Sequence, residues 1–179
     1  MKRTVLIYGT IAGVVVSLFM ATTMLITSSG EAVHTGASSM VIGYLGMLIA
    51  FTFIFVAIKS YRDKENGGMI SFGKAFGIGL LIALKASTLY VATWALVYHN
   101  FLPDFMDKYT AVAIEEAKAT LSGTALQAKI DEVNNAKAFY ATPLGFVLFT
   151  YAEILPVGIL VSLIAALVLK RKAPKVAVA

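Results

Sequence analysis

An all-α integral membrane protein, with four transmembrane helices and an extracytoplasmic helical hairpin between the third and fourth, is the fold class that three features of this sequence predict. The 179 residues are 59% hydrophobic and 14% charged, and their mean hydropathy of +0.81 lies outside the range of water-soluble domains. Four long stretches carry at most one charge: 4–30, 35–58, 75–103 broken only by Lys85, and 138–169 broken only by Glu153. Basic residues gather at alternate ends of these stretches, as the positive-inside rule requires of a multi-pass chain.

Each stretch is long enough to cross the hydrocarbon core once, since a crossing needs about 20 apolar residues. The expected crossings are 4–27, 37–59, 73–99 and 143–169. The first follows Lys2 and Arg3 as a signal peptide would, but a cleavable apolar core is only about 7–15 residues long, so this segment is expected to remain as a helix. Between the third and fourth crossings, residues 101–142 form an insertion within what is otherwise a single four-helix membrane domain over 1–179. Its first helix is expected from Asp104, after Pro103, with Phe105, Tyr109 and Val112 at helical spacing until Gly123. Its second is expected to begin at a capping box of Thr124 and Gln127, with Leu126, Ile130 and Val133 forming one apolar stripe. These stripes are expected to pack the two arms together or to cover the ends of the bundle.

Ten of the 15 basic residues fall on one side: Lys2 and Arg3, then Lys59, Arg62, Lys64 and Lys74, then Lys170, Arg171, Lys172 and Lys175. Both termini are therefore expected in the cytoplasm, in the bacterial inner membrane. The formal charge of +5 is topogenic on this reading, and the lipid bilayer rather than nucleic acid is the expected partner. Small residues recur every fourth position at Gly9, Gly13, Ser17 and Ala21, at Ala75, Gly79, Ala83 and Ser87, and at Gly158, Ser162 and Ala166. Such stripes let membrane helices approach closely, and packing within one chain is preferred over homo-oligomerisation.

Chemical motifs are sparse. The chain has no cysteine, which excludes disulfides, thiolate metal sites and cysteine nucleophiles. Gly68 to Lys74 has P-loop spacing, but Ala75 stands where magnesium needs a hydroxyl and no strand precedes it. Glu31, His34, His99, Asp104 and Asp107 lie near the outer helix ends and read as a polar rim, so no metal and no cofactor is expected. No spacing of serine, histidine and acid argues for nucleophilic catalysis, and an enzyme is not expected.

Lys85 and Glu153 stand out because an intramembrane charge costs about 2.5–3.5 kcal/mol. At 1.5 Å per residue, Lys85 lies roughly 21 Å below His99 and Glu153 roughly 15 Å below Pro143, depths within side-chain reach of each other. An intramembrane charged pair is expected if the third and fourth helices are neighbours. Pro156 cannot donate a backbone hydrogen bond and frees the carbonyl of Ala152, which is expected to be satisfied by a neighbour, by a hydroxyl such as Thr150 or Tyr151, or by a cavity water.

Two segments carry a family likeness. The run Ile58-Lys59-Ser60-Tyr61-Arg62-Asp63, then Gly67-Gly68 and Ile70-Ser71-Phe72-Gly73-Lys74-Ala75-Phe76, together with Thr150-Tyr151-Ala152-Glu153-Ile154-Leu155-Pro156-Val157-Gly158, resembles the bacterial membrane family named domain of unknown function 4199. The resemblance implies four membrane helices with an extracytoplasmic insertion before the last, and it implies no activity. It places Glu153 in a family-like motif, implies an aliphatic residue where this chain has Lys85, and gives weight to Lys59, Arg62 and Asp63, which otherwise read as topogenic charge with a surface ion pair. The expectation is a non-enzymatic structural or accessory membrane component, with an unidentified membrane-protein partner or a homo-oligomer left open. The alternative is a small oligomeric proton-linked transporter or channel using Glu153.

Overall fold

The computed structural model describes residues 1–28 and 37–171; Glu31, His34, Thr35, Lys172 and Lys175 lie outside them. Among the described residues the chain forms α1 (Lys2–Ser28), α2 (Ala37–Ser60), α3 (Phe72–Phe101), α4 (Phe105–Thr120), α5 (Gly123–Tyr140) and α6 (Pro143–Leu169), with a π-helical turn at Tyr61–Glu65 continuing α2. α1, α2, α3 and α6 are long and apolar enough to cross a membrane. They match the expected crossings to within a turn, because run length and hydropathy fix such elements with little help from tertiary contacts.

The four long helices form a ring in which α3 packs on α1 and α6, and α2 packs on the same two from the other side. Small residues set the spacing. A Cβ added at Gly79 would stand 2.8 Å from Ser162 Oγ, and one at Gly158 would stand 2.7 Å from the Ala83 Cβ. The α3 and α6 stripes thus meet each other, and Gly9 and Gly13 of α1 abut Lys85, Ala86 and Leu89 of α3. All three small-residue stripes pack within the chain. Between them lies a core of Phe51, Ile54 and Ile58 from α2, Ile78 and Ile82 from α3, and Ile154 from α6.

Helix ends follow local chemistry in some places and depart from it in others. Ser71 caps α3 by accepting from the Lys74 N–H at 3.4 Å, and Thr142 caps α6 by accepting from the Gly145 N–H at 3.0 Å, with Pro143 opening the helix. Gly145 has no room for a side chain, since the Phe139 carbonyl crosses its Cα. The capping box expected in the insertion does not form. Asp104 makes no side-chain cap bond. α5 begins at Gly123, which supplies a left-handed φ of 58°, rather than after a Thr124 cap. Gln127 turns forward to Asp131 instead of back to the helix start. The arms α4 and α5 pack against each other, and Lys137 pairs with Asp107 across them at 2.5 Å.

Candidate functional site

Lys85 and Glu153 lie at nearly the same level, since Ala83 faces Gly158 and Thr88 reaches the Tyr151 hydroxyl at 2.8 Å. They nevertheless do not meet. Lys85 is two residues from Ala83, which turns it roughly 200° around α3, away from α6. Its stem runs along Gly9, and its ammonium donates to the Leu6 carbonyl of α1 at 3.0 Å. The expected pair is therefore corrected: depth along the bilayer was matched, but the side chains point to different neighbours. Leu6 O also accepts from the Thr10 hydroxyl at 2.8 Å, so two side-chain donors converge on one carbonyl.

Glu153 is left without an ion pair or hydrogen bond among the described residues. It sits on the outer face of α6, in line with Phe149, Pro156 and Leu160, all exposed. This i, i+4, i+7, i+11 stripe is a single helix face. Phe149, one turn before Glu153 on the same face, packs against the Tyr140 ring with centroids 6.0 Å apart. Beside Glu153, Pro156 interrupts the hydrogen-bond ladder of α6. Neither hydroxyl expected at the freed Ala152 carbonyl goes there: Thr150 donates to the Phe146 carbonyl at 2.8 Å, and Tyr151 pairs with Thr88.

The family-like basic segment does more than carry charge. Arg62 makes a forked contact with Asp63, at 2.7 Å and 3.2 Å, and reaches the Leu169 carbonyl at the end of α6 at 3.3 Å. Its side chain is only 15% exposed. The Leu169 carbonyl is among the last of the helix, where partners for unsatisfied C=O groups are scarce, and a guanidinium suits it in both charge and shape. Ile70 and Arg171 then exchange two backbone hydrogen bonds, at 3.0 Å and 2.9 Å. On the other side Glu65 accepts from the Met1 ammonium at 2.8 Å and from Thr4 at 2.7 Å. The connection between α2 and α3 thus holds both the start of α1 and the end of α6. Lys59 is exposed beside Asp63 and contributes field rather than contact.

At the opposite end, Trp94 donates to the Tyr140 hydroxyl at 2.7 Å. Tyr98, Phe146 and Phe105 surround them with ring centroids 5.2–5.8 Å apart. This aromatic cluster seats the α4–α5 arms on α3 and α6. Burial pushes the Tyr140 phenol above its ordinary value, outweighing the hydrogen bonds that lower it. Periodicity marks Trp94 and Tyr98 as helix-face residues, but nothing in the sequence pairs Trp94 with a residue 46 positions on.

Among the described residues no three of His, Asp and Glu converge to hold a metal ion. His99 stacks on Phe146 and meets Tyr98 edge-on. The P-loop spacing at Gly68 to Lys74 is occupied by the chain itself, because the Gly68 N–H is taken by the Arg62 carbonyl and the Ser71 hydroxyl caps α3.

The model of the family described as Protein of unknown function (DUF4199) matches residues 7–171, nearly the whole chain, and the protein belongs to that family. No curated protein and no solved structure matches it.

Proposed function

We propose that this member of the DUF4199 family is a non-enzymatic accessory component of the bacterial inner membrane that associates laterally through the α6 face centred on Glu153. Both termini are cytoplasmic in this reading, and the α4–α5 hairpin is extracytoplasmic. The observation that carries the proposal is the carboxylate itself. It occupies the outer face of a membrane-spanning helix and has no partner among the described residues of its own chain. An ionisable group in that position is stabilised when a neighbouring helix brings a donor or cation to it. A second copy or another membrane protein can supply one. The close contacts at Gly79 and Gly158 between α3 and α6, and at Gly9 and Gly13 where α1 meets α3, leave no room for added methyl groups and support an accessory role over a conduit through the bundle.

A second reading is favoured by one observation. Tyr140 packs on Phe149, one turn before Glu153 on α6, and is bonded to Trp94 at the hairpin end, so a phenol and an indole stand in series between the level of the carboxylate and that end. In an oligomer this series would serve proton-linked transport. Reconstituted vesicles separate the two readings. The accessory reading expects no proton or solute movement under an imposed pH gradient, and loss of assembly in Glu153→Gln. Proton flux that disappears in the same variant would establish transport instead.

A further inference from the structure

The Lys85 ammonium has three protons, and among the described residues only the Leu6 carbonyl takes one. Leu6 lies four residues beyond Lys2, about 6 Å along the helix from the end of α1 that carries Lys2 and Arg3. A charge that began at mid-helix of α3 is therefore delivered by its flexible stem toward a membrane surface, where two further cations are exposed. Continuing along the same α1–α3 seam toward the bilayer centre is an open groove of about 170 Å³, lined by Val14, Leu18 and Leu89 with Ser17 and Thr93. The Ser17 hydroxyl is buried in its wall without a hydrogen-bond partner among the described residues, and the rest of the lining is apolar apart from Thr93. From Leu6 to Val14 and Leu18 is 8 to 12 residues, about 12–18 Å. Half the hydrocarbon core is about 15 Å.

Cationic head, apolar groove and the distance between them fit one occupant. We infer that the α1–α3 seam binds an anionic phospholipid, its phosphate at Lys85 and one acyl chain in the groove beside Leu89. The inference is independent of Glu153, which lies on a different helix face, and stands or falls apart from the proposed lateral association. Positive charge at Lys85, Lys2 and Arg3 selects acidic over zwitterionic headgroups, whereas the groove accepts the chain of either.

The test uses the full-length protein in phosphatidylcholine bilayers containing phosphatidylglycerol, with spin-labelled analogues of both lipids to measure the immobilised fraction of each. The wild type is expected to immobilise phosphatidylglycerol preferentially. Lys85→Met is expected to lower that preference about fivefold, the factor for one cation at a membrane surface, while Lys85→Arg keeps it. Val14→Trp, which fills the groove and spares Lys85, is expected to reduce the immobilised fraction of both lipids. Unfolding temperatures in pure phosphatidylcholine report folding separately, and a variant that does not fold is replaced by Lys85→Gln or Val14→Phe. An unchanged preference in a folded Lys85 variant overturns the inference, as does equal immobilisation of the two lipids by the wild type.

Discussion

The Lys85 ammonium donates across 3.0 Å to the carbonyl of Leu6, and this contact ties α3 to α1 rather than to α6. Among the described residues the only carboxylate at its depth, Glu153, faces away from it. The consequence for mutation is unequal. In Lys85→Met a charged hydrogen bond of about 1.5–3 kcal/mol is lost, but so is an insertion cost of about 2.5–3.5 kcal/mol. Leu6 retains the Thr10 hydroxyl. Thermal unfolding in mild detergent is expected to change by no more than about 2 kcal/mol, the largest difference between these terms. A loss of several kcal/mol would show that the contact holds the fold.

Small residues at the α3–α6 seam are expected to tolerate enlargement poorly. Gly79→Leu and Gly158→Leu each force side chains into Ser162 or into Ala83 and Phe51. Overpacking of this kind costs about 1–3 kcal/mol, and more where backbone must separate. Gly77, where an added Cβ meets nothing within 4 Å, is the control: Gly77→Ala is expected to be neutral or slightly stabilising.

Arg62 spans the termini-bearing end of the bundle through its bond to Leu169, 107 residues away. Arg62→Lys keeps the charge and loses the fork, so a topogenic role and a clamping role come apart. Backbone amide exchange at Ile70 and Arg171, which bond to each other, is expected to accelerate in Arg62→Lys and further in Arg62→Ala, while orientation in the membrane stays the same. Unchanged exchange in both variants would reduce Arg62 to an orientation signal.

Trp94 is the only tryptophan, so its emission reads the contact with Tyr140 directly. Tyr140→Phe is expected to shift the emission and to cost about 1 kcal/mol for the lost hydrogen bond. The pH dependence follows from the raised phenol. The neutral form is favoured in the folded protein, so its contribution is complete below the ordinary value of 10.0 and is lost as pH rises through the higher folded-state value. Wild-type emission is expected to hold steady to pH 10 and to change only above it, and that alkaline change should be absent in Tyr140→Phe.

Much of this fold was legible because a membrane span is announced by one quantity, the length of an apolar run, and α1, α2, α3 and α6 each carry it. The small-residue stripes likewise told which helix faces would approach closely. The Lys85–Glu153 relationship was misread for a definite reason. Counting residues from a helix end gives depth, but contact also needs the direction around the axis, and that depends on which neighbour each helix selects. Thr124 and Gln127 had the spacing of a capping box, yet Gly123 provided a left-handed start one residue earlier. The contacts from Arg62 to Leu169 and from Trp94 to Tyr140 join distant segments, and no local pattern encodes them. Glu153 itself was found by its oddity alone, a carboxylate in an apolar run.

Lateral association through Glu153 is tested most directly by photo-crosslinking in native membranes from Leu160, which is 54% exposed on the same α6 face. The expected result is a discrete protein adduct from Leu160 that is lost when Glu153→Gln is introduced. A Leu160 probe that labels only lipid, with and without the Glu153 carboxylate, would contradict it.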